Sequence, residues 1–271
     1  MGIKQEAARL NTRMRQENPL VHNITNYVTV NDCANALLAI GASPIMADDT
    51  LEAADITSIS SALVINIGTL NQRTVESMVL AGKKANELGI PVVLDPVGAG
   101  ASDLRNKTTG KILEQVKITI LRGNLSEVSY VAGLSVSTKG VDTSDKDNNK
   151  DARLVALAAA KKLCCIVAVT GAIDVITDGE RVVKVSNGHP LLSKVTGTGC
   201  MTSAITGGYA GTKEDAFTAA AAGILSMGIA GEIAFEKAGA LGAGSFHMAL
   251  IDALSNLNEE TIEEMGKIEE E

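Results

Sequence analysis

LVINIGTLNQRTVESMVLAGKKANELGIPVVLD, residues 63–95, contains one complete strand–helix–strand unit. Residues 63–67 are a short run of β-branched and aliphatic side chains closed by Gly68, the pattern of a buried strand. Residues 72–88 carry helical spacing, and residues 92–94 form the next strand before Asp95-Pro96. Two strands joined through a helix run parallel, because the crossover returns the chain to the same end of the sheet.

The same rhythm extends outward in both directions. Strands are predicted at 20–24, 44–46, 118–121 and 165–170, with helices at 28–40, 50–60, 104–116, 125–131 and 151–163. The alternation defines an α/β fold, a mostly parallel sheet covered by helices on both faces. After Thr170 the pattern changes. Residues 174–177 and 182–185 flank Asp178-Gly179, a hairpin turn, so antiparallel strands are expected at one edge. Helices at 200–210, 214–235 and 244–257 complete the chain. The helix from Glu214 is Ala- and Gly-rich all round and is expected inside the domain or at a subunit contact. The polar stretch 137–150 reads as a loop before a helix, because the βα pattern resumes at once. The expected organisation is a single domain, 1–258, followed by an acidic, solvated tail, 259–271.

Composition narrows the function classes. Hydrophobic residues make up 45% of the 271 and aromatic residues only 2%, so the core must be built from Ala, Val, Ile and Leu. The formal charge of −8 argues against nucleic acid or an anionic membrane as partner. Phosphate remains a candidate ligand, since backbone N–H groups and a metal can hold it without a basic surface. Cys33, Cys164, Cys165 and Cys200 lack zinc spacing, and the adjacent pair in the apolar run CCIVAV reads as buried. The N-terminal stretch is charged and has no apolar signal core, and no uninterrupted apolar run reaches the ~20 residues of a membrane span, so a cytoplasmic location is expected.

Four blocks carry candidate chemistry. Thr196-Gly197-Thr198-Gly199-Cys200 opens a small-residue helix, where free N–H groups and the helix dipole favour an anion. Asp95 ends a strand, the end at which ligands bind in open α/β sheets. Arg122 follows another strand and suits phosphate oxygens, while Glu127 suits magnesium. Thr170 ends a further strand. The block 21–29, VHNITNYVT, is polar where a strand ends and suits a small neutral ligand, with Met46 and Gly68 beside neighbouring strands. Taken alone, the 196–200 and 21–29 blocks are equally explained by close packing or helix caps. Asp95 is better explained by a turn before Pro96, Asn124 to Glu127 also fit an ordinary capped helix start, and Thr170 is a weak signal. His22, His189 and His247 are scattered and read as structural or surface residues.

Taken in order, NPLVHNITNYVTVNDCANALLAIGASPIM, LDPVGAGAS, RGNLSEV, VAVTGAIDVITDG and KVTGTGCMTSA resemble the hydroxyethylthiazole kinase family of the ribokinase-like superfamily. The resemblance runs along nearly the whole chain and stops before the acidic tail. It implies a three-layer α/β/α sandwich that works as a homotrimer with interfacial active sites. It implies ATP as co-substrate with Mg²⁺, and a small thiazole alcohol as acceptor. Asn26, Met46 and Gly68 would then face the thiazole, Arg122 and Thr170 the ATP, Gly197 the substrate hydroxyl, and Asp95 and Glu127 the Mg²⁺. Gly197, Thr198, Gly199 and Cys200 would form the catalytic loop. Cys200 stands where many ribokinase-like enzymes have Asp as base. A helix N-terminus favours a thiolate, so Cys200 is read as a weak base and aligner. Rival readings are another ribokinase-like enzyme, such as a pyridoxine-type kinase or a nicotinamide-nucleotide hydrate dehydratase, or a non-catalytic thiazole- or nucleotide-binding protein.

Overall fold

A computed structural model describes residues 2–134 and 145–271. Among the described residues, nine strands form a single sheet in the order β2-β1-β3-β4-β5-β6-β7-β8-β9. The parallel part comprises β1 (Leu20–Ile24), β2 (Ser43–Ile45), β3 (Ala62–Asn66), β4 (Val92–Asp95), β5 (Ile120–Asn124) and β6 (Ile166–Thr170). Strands β7 (Asp174–Thr177), β8 (Val182–Val185) and β9 (Ile268–Glu270) continue antiparallel at one edge. The strand–helix–strand unit at 63–95 therefore sits well inside the sheet. The hairpin around Asp178-Gly179 forms as expected, with Gly179 in the left-handed region at φ 102°.

Helix placement follows from the handedness of the crossovers. From β1 the chain moves outward to β2 through α2 (Val30–Ile40), then returns past β1 to β3 through α3 (Ala53–Ser58). It continues in that direction through α4 (Gln72–Leu88), α5 (Asp103–Gln115), and the pair α6 (Leu125–Ala132) and α7 (Asp145–Leu163). Right-handed crossovers in opposite directions put their helices on opposite faces. Accordingly, Cys33, Ala36, Leu37 and Ile40 of α2 pack in one core layer, while Met78, Ala81 and Ala85 of α4 pack in the other. The α2 layer is completed by α1 (Ile3–Glu17), α8 (Thr198–Ala210), α9 (Ala216–Ala238) and α10 (Ala243–Asn256). The strand order reverses between β1 and β3. Their carboxyl ends diverge there, which is where open α/β sheets hold ligands.

Helix α9 is long and apolar enough to cross a membrane by length and composition, yet most of it is buried inside the molecule. Ala219, Ala220, Leu225, Ile229 and Ala230 are all inaccessible to solvent, so it is a central helix of its layer, as its all-round apolar sequence implies.

Two expectations require correction. Cys164 is exposed, in contrast to Cys33 and Cys165. It follows α7 with φ 50°, where the chain reverses into β6, and this left-handed turn aims its side chain outward. The acidic tail also differs from a free end. Glu263, Glu264, Glu269, Glu270 and Glu271 are exposed as expected, but the backbone forms α11 (Glu259–Met265) and then β9. Ile262 is buried, and Met265 and Ile268 pack on the same core layer as α9. Of the polar stretch 137–150, residues 137–144 lie outside the described residues, and the helix is already present from Asp145.

Candidate active site

Helix α8 begins at the carboxyl ends of the central strands. Its N-cap is Gly197, held in the left-handed region at φ 89° with no side-chain cap. A Cβ at Gly197 would lie 2.6 Å from Thr29 Cγ2, and one at Gly199 would lie 2.9 Å from Arg122 Nη1. Gly197 is required by its left-handed backbone and the approach of Thr29, while at Gly199 a side chain would displace the Arg122 guanidinium. The first amides of a helix have no intrahelical acceptor, so Thr198, Gly199 and Cys200 present N–H groups beside Arg122 without a cap covering them.

Asp95 closes β4 and is 1% exposed. Its Oδ2 accepts hydrogen bonds from Ser203 Oγ at 2.7 Å and Asn66 Nδ2 at 2.9 Å, and Arg122 Nη1 lies 3.6 Å away. Arg122 Nη2 donates to Thr170 Oγ1 at 2.8 Å, which places the ends of β4, β5 and β6 around one guanidinium. Burial pushes the Asp95 carboxyl up to about 6, against the opposing pull of Arg122, Ser203 and Asn66; Glu127 adds a raising charge. Asp95 Oδ1 and Arg122 Nε are buried and have no hydrogen-bond partner among the described residues. Buried polar atoms are ordinarily satisfied. Two unsatisfied ones of opposite character, on side chains that approach to 3.6 Å, are what a ligand carrying both charge signs would answer.

Glu127 is the N3 residue of α6. Its Oε2 accepts from Asn124 N and its Oε1 from Gly98 N, both at 2.8 Å, while Asn124 Oδ1 accepts from Glu127 N at 2.9 Å. It therefore caps its helix and pins the loop after β4 at once. Capping leaves each carboxylate oxygen a second lone pair, so it is compatible with metal holding. Among the described residues no group of three or more His, Cys, Asp or Glu is assembled as a metal cluster.

On the other side of α8, Asn26 Nδ2 donates to Cys200 Sγ at 3.2 Å and to Asn66 Oδ1 at 3.0 Å. Its own Oδ1 accepts from Thr29 N and Thr29 Oγ1. Gly68 lies against Asn26, since a Cβ there would approach Asn26 Nδ2 to 2.8 Å. Met46 follows β2, one strand further along, partly buried against the α2 layer. The structure thus gathers Asn26, Gly68, Asp95, Arg122, Thr170 and 197–200 at one mouth, and sets Met46 at its margin.

A cavity of about 610 Å³ opens on the Arg122 side. Arg122, Thr170, Asp174, His189, Thr198 and Gly199 line it, with Ile224 and Met227 supplying apolar wall. The volume falls in the range of small-molecule sites. His189 lines the cavity and stacks on Phe235 at 3.6 Å, whereas His22 is buried and bonded to Thr57 and Ala47.

Sequence reasoning missed several residues here. Asn66 and Ser203 both hold Asp95, and Arg105 of α5 donates to Ile67 O and Val97 O through Nη1 and to Gly68 O through Nη2, at 2.6–2.7 Å. Asn66 was detectable as the single amide in an otherwise apolar strand, and Ser203 as the residue one helical turn after Cys200. Arg105 carried no signal, because its partners are backbone carbonyls.

The fold is the α/β fold of solved pyridoxal kinases. Pyridoxal kinase from Bacillus subtilis, solved as an ADP complex, shares the fold with TM-score 0.60 over 78% of this chain and 91% of its own, at 20% identity. Hydroxyethylthiazole kinase from Pyrococcus horikoshii OT3 is 41% identical with TM-score 0.90, covering 98% of this chain and 99% of its own. A curated hydroxyethylthiazole kinase from Ruminiclostridium cellulolyticum is 64% identical over 267 residues, 98% of each chain. The family model described as "Hydroxyethylthiazole kinase family" matches residues 11–260. The chain belongs to the hydroxyethylthiazole kinase family and is a phosphotransferase.

Proposed function

We propose that the protein transfers the γ-phosphoryl group of ATP to the primary alcohol of 4-methyl-5-(2-hydroxyethyl)thiazole, giving the thiazole phosphate used for thiamine. The observation that carries this reading is the uncapped N-terminus of α8. It sits between a cavity lined by Arg122 and Thr170 and the neutral amides of Asn26 and Asn66, which donate to Cys200 Sγ. A nucleotide belongs on the charged side and a small uncharged heterocycle on the amide side. The alcohol then meets the γ-phosphate at Gly197.

In this reaction the N–H groups of Thr198, Gly199 and Cys200 hold the transferring phosphoryl oxygens, and Arg122 neutralises charge developing on them. The alcohol oxygen bonds to the γ-phosphorus as the bond to the ADP oxygen breaks. Cys200 Sγ lies beside Asn26 and orients the hydroxyl, and it accepts the proton released. Phosphoryl transfer passes through a loose transition state and needs little help from a base, so alignment and charge stabilisation dominate. Asp95, through its unpartnered Oδ1, and Glu127, through its remaining lone pairs, are suited to hold Mg²⁺, which would supply charge neutralisation to the nucleotide phosphates.

The same reading takes the protein as a cytoplasmic homotrimer with sites at subunit contacts. Supporting this, Tyr27, next to Asn26, is 78% exposed, and Leu51 is 90% exposed on the loop after β2. Apolar side chains so close to the pocket are suited to cover from a second copy. The test of function is ATP consumption with hydroxyethylthiazole compared with pyridoxine. Strong turnover of the thiazole alone supports the proposal; preference for pyridoxine, or no turnover with ATP still bound, overturns it.

A further inference from the structure

Asn66 is 1% exposed and uses its whole hydrogen-bonding capacity inside the candidate site. Its Nδ2 donates to Asp95 Oδ2 at 2.9 Å and to Cys200 Sγ at 3.3 Å. Its Oδ1 accepts from Asn26 Nδ2 at 3.0 Å and from its neighbour Gly68 N at 2.9 Å. An amide has two N–H donors and two acceptor lone pairs, so this one is saturated and cannot be flipped without breaking all four bonds. Few side chains join so many parts: β3, β4, the N-terminus of α8 and the loop after β1 all meet at it.

The consequence for Asp95 is directional. Asn66 and Ser203 both bind Oδ2, which leaves Oδ1 as the carboxylate oxygen without a partner. The consequence for Cys200 is similar. Its sulfur receives N–H groups from both Asn26 and Asn66, so two of its directions are taken and the thiol is held in one rotamer. One NH₂ group therefore sets the carboxylate at the end of β4 in register with the sulfur on α8.

Building on the proposed kinase reaction, we infer that Asn66 is a positioning residue for phosphoryl transfer, aligning Asp95 and Cys200 through a single shared amide. It acts through Asp95 and Cys200 rather than on the substrate itself. Its effect belongs on turnover rather than on nucleotide binding, because Arg122 is anchored to Thr170 and neither side chain bonds Asn66.

The test uses the full-length protein and two variants. Asn66→Ala removes the amide. Asn66→Asp keeps the accepting oxygen for Asn26 and Gly68 but replaces the donors facing Asp95 and Cys200 with a second acceptor. Both are expected to lose about 30-fold in kcat, within the roughly 5- to 150-fold range for leaving buried partners unsatisfied. KM for hydroxyethylthiazole should change less than about threefold, with ADP affinity unchanged. Because the Asn66–Cys200 bond is lost in either single variant, Asn66→Ala combined with Cys200→Ala should lose clearly less than the product of the two separate losses. Losses that multiply, or a raised KM at unchanged kcat, overturn the inference. So does a fall in Tm with ADP affinity declining in parallel in both variants, which would make the role structural only. If wild-type protein binds ADP but does not turn over the thiazole, it is the substrate assignment that fails. The Asn66 inference is then judged by the same comparison with whichever alcohol the wild type phosphorylates.

Discussion

Asp95 sits in a place that suits chemistry better than stability. Its pKa rises from 3.8 to about 6 in the fold, chiefly through burial. Between pH 4 and pH 6 the native protein therefore holds a proton that the unfolded chain has released, and stability falls as pH rises through that window. Above pH 6 the charged carboxylate costs about 3 kcal/mol, since each tenfold change in proton affinity is worth about 1.4 kcal/mol. Asp95→Asn should accordingly raise the Tm of metal-free protein at pH 8, with the advantage shrinking toward pH 5, while turnover falls at least 100-fold. A Tm advantage that grows on acidification would show that burial is not the dominant influence. Cys200 poses the complementary question. If it serves as a weak base and aligner, Cys200→Ala should lower kcat only about tenfold, below the roughly 100- to 10,000-fold typical of general acid–base groups, and Cys200→Asp should retain or raise turnover. Complete inactivity of Cys200→Ala, with fold and ATP binding intact, would make the sulfur indispensable.

The elements around the mouth are held by contacts that lie outside the chemistry. Helix α5 begins after a loop that contains Gly98, and Arg105 from its first turns reaches back to three carbonyls belonging to two loops. One guanidinium thereby fastens the loop after β3, which carries Gly68, to the loop after β4, which is fastened to Glu127 through Gly98 N. Removing it leaves Ile67 O, Gly68 O and Val97 O without their donor. Arg105→Ala should therefore destabilise the protein by about 2–3 kcal/mol, the scale of bonds to a charged donor, read as a shift in urea midpoint at constant m-value. Arg105→Lys, which keeps charge but not the planar fork, should recover only part of it. Wild-type stability in both variants would dissociate the clamp from the fold. Helix α8 is the opposite kind of element: its first turn is left without a side-chain cap, and a stabilising cap there would occupy the amides proposed to bind phosphate.

At the scale of the molecule, the sheet ends in charge. Strand β9 pairs with β8 and exposes Glu269, Glu270 and Glu271, while Arg153 and Lys184 each form an ion pair with Glu271. Covering β8 with a short acidic strand blunts an edge that would otherwise template pairing with another chain. The acidic tail thus contributes its backbone to the sheet and its side chains to solvent.

The alternation of apolar runs with helical spacing was enough to establish the parallel sheet, the hairpin at Asp178-Gly179 and a buried α9, because each depends on periodicity within a single segment. The Gly-framed start of α8, and the placing of Asp95, Arg122 and Thr170 at strand ends, were readable for the same reason: strand termini in such a sheet share one edge. The partnerships were not readable. Asn66 with Cys200 spans 134 positions, Ser203 with Asp95 spans 108, and Arg105 binds carbonyls that any sequence would provide. Tail pairing and the outward turn of Cys164 were likewise decided by which surface remained open once the layers had packed. Local pattern determines which element forms and where it ends; only packing in three dimensions decides which ends meet and which polar atoms are left for a ligand.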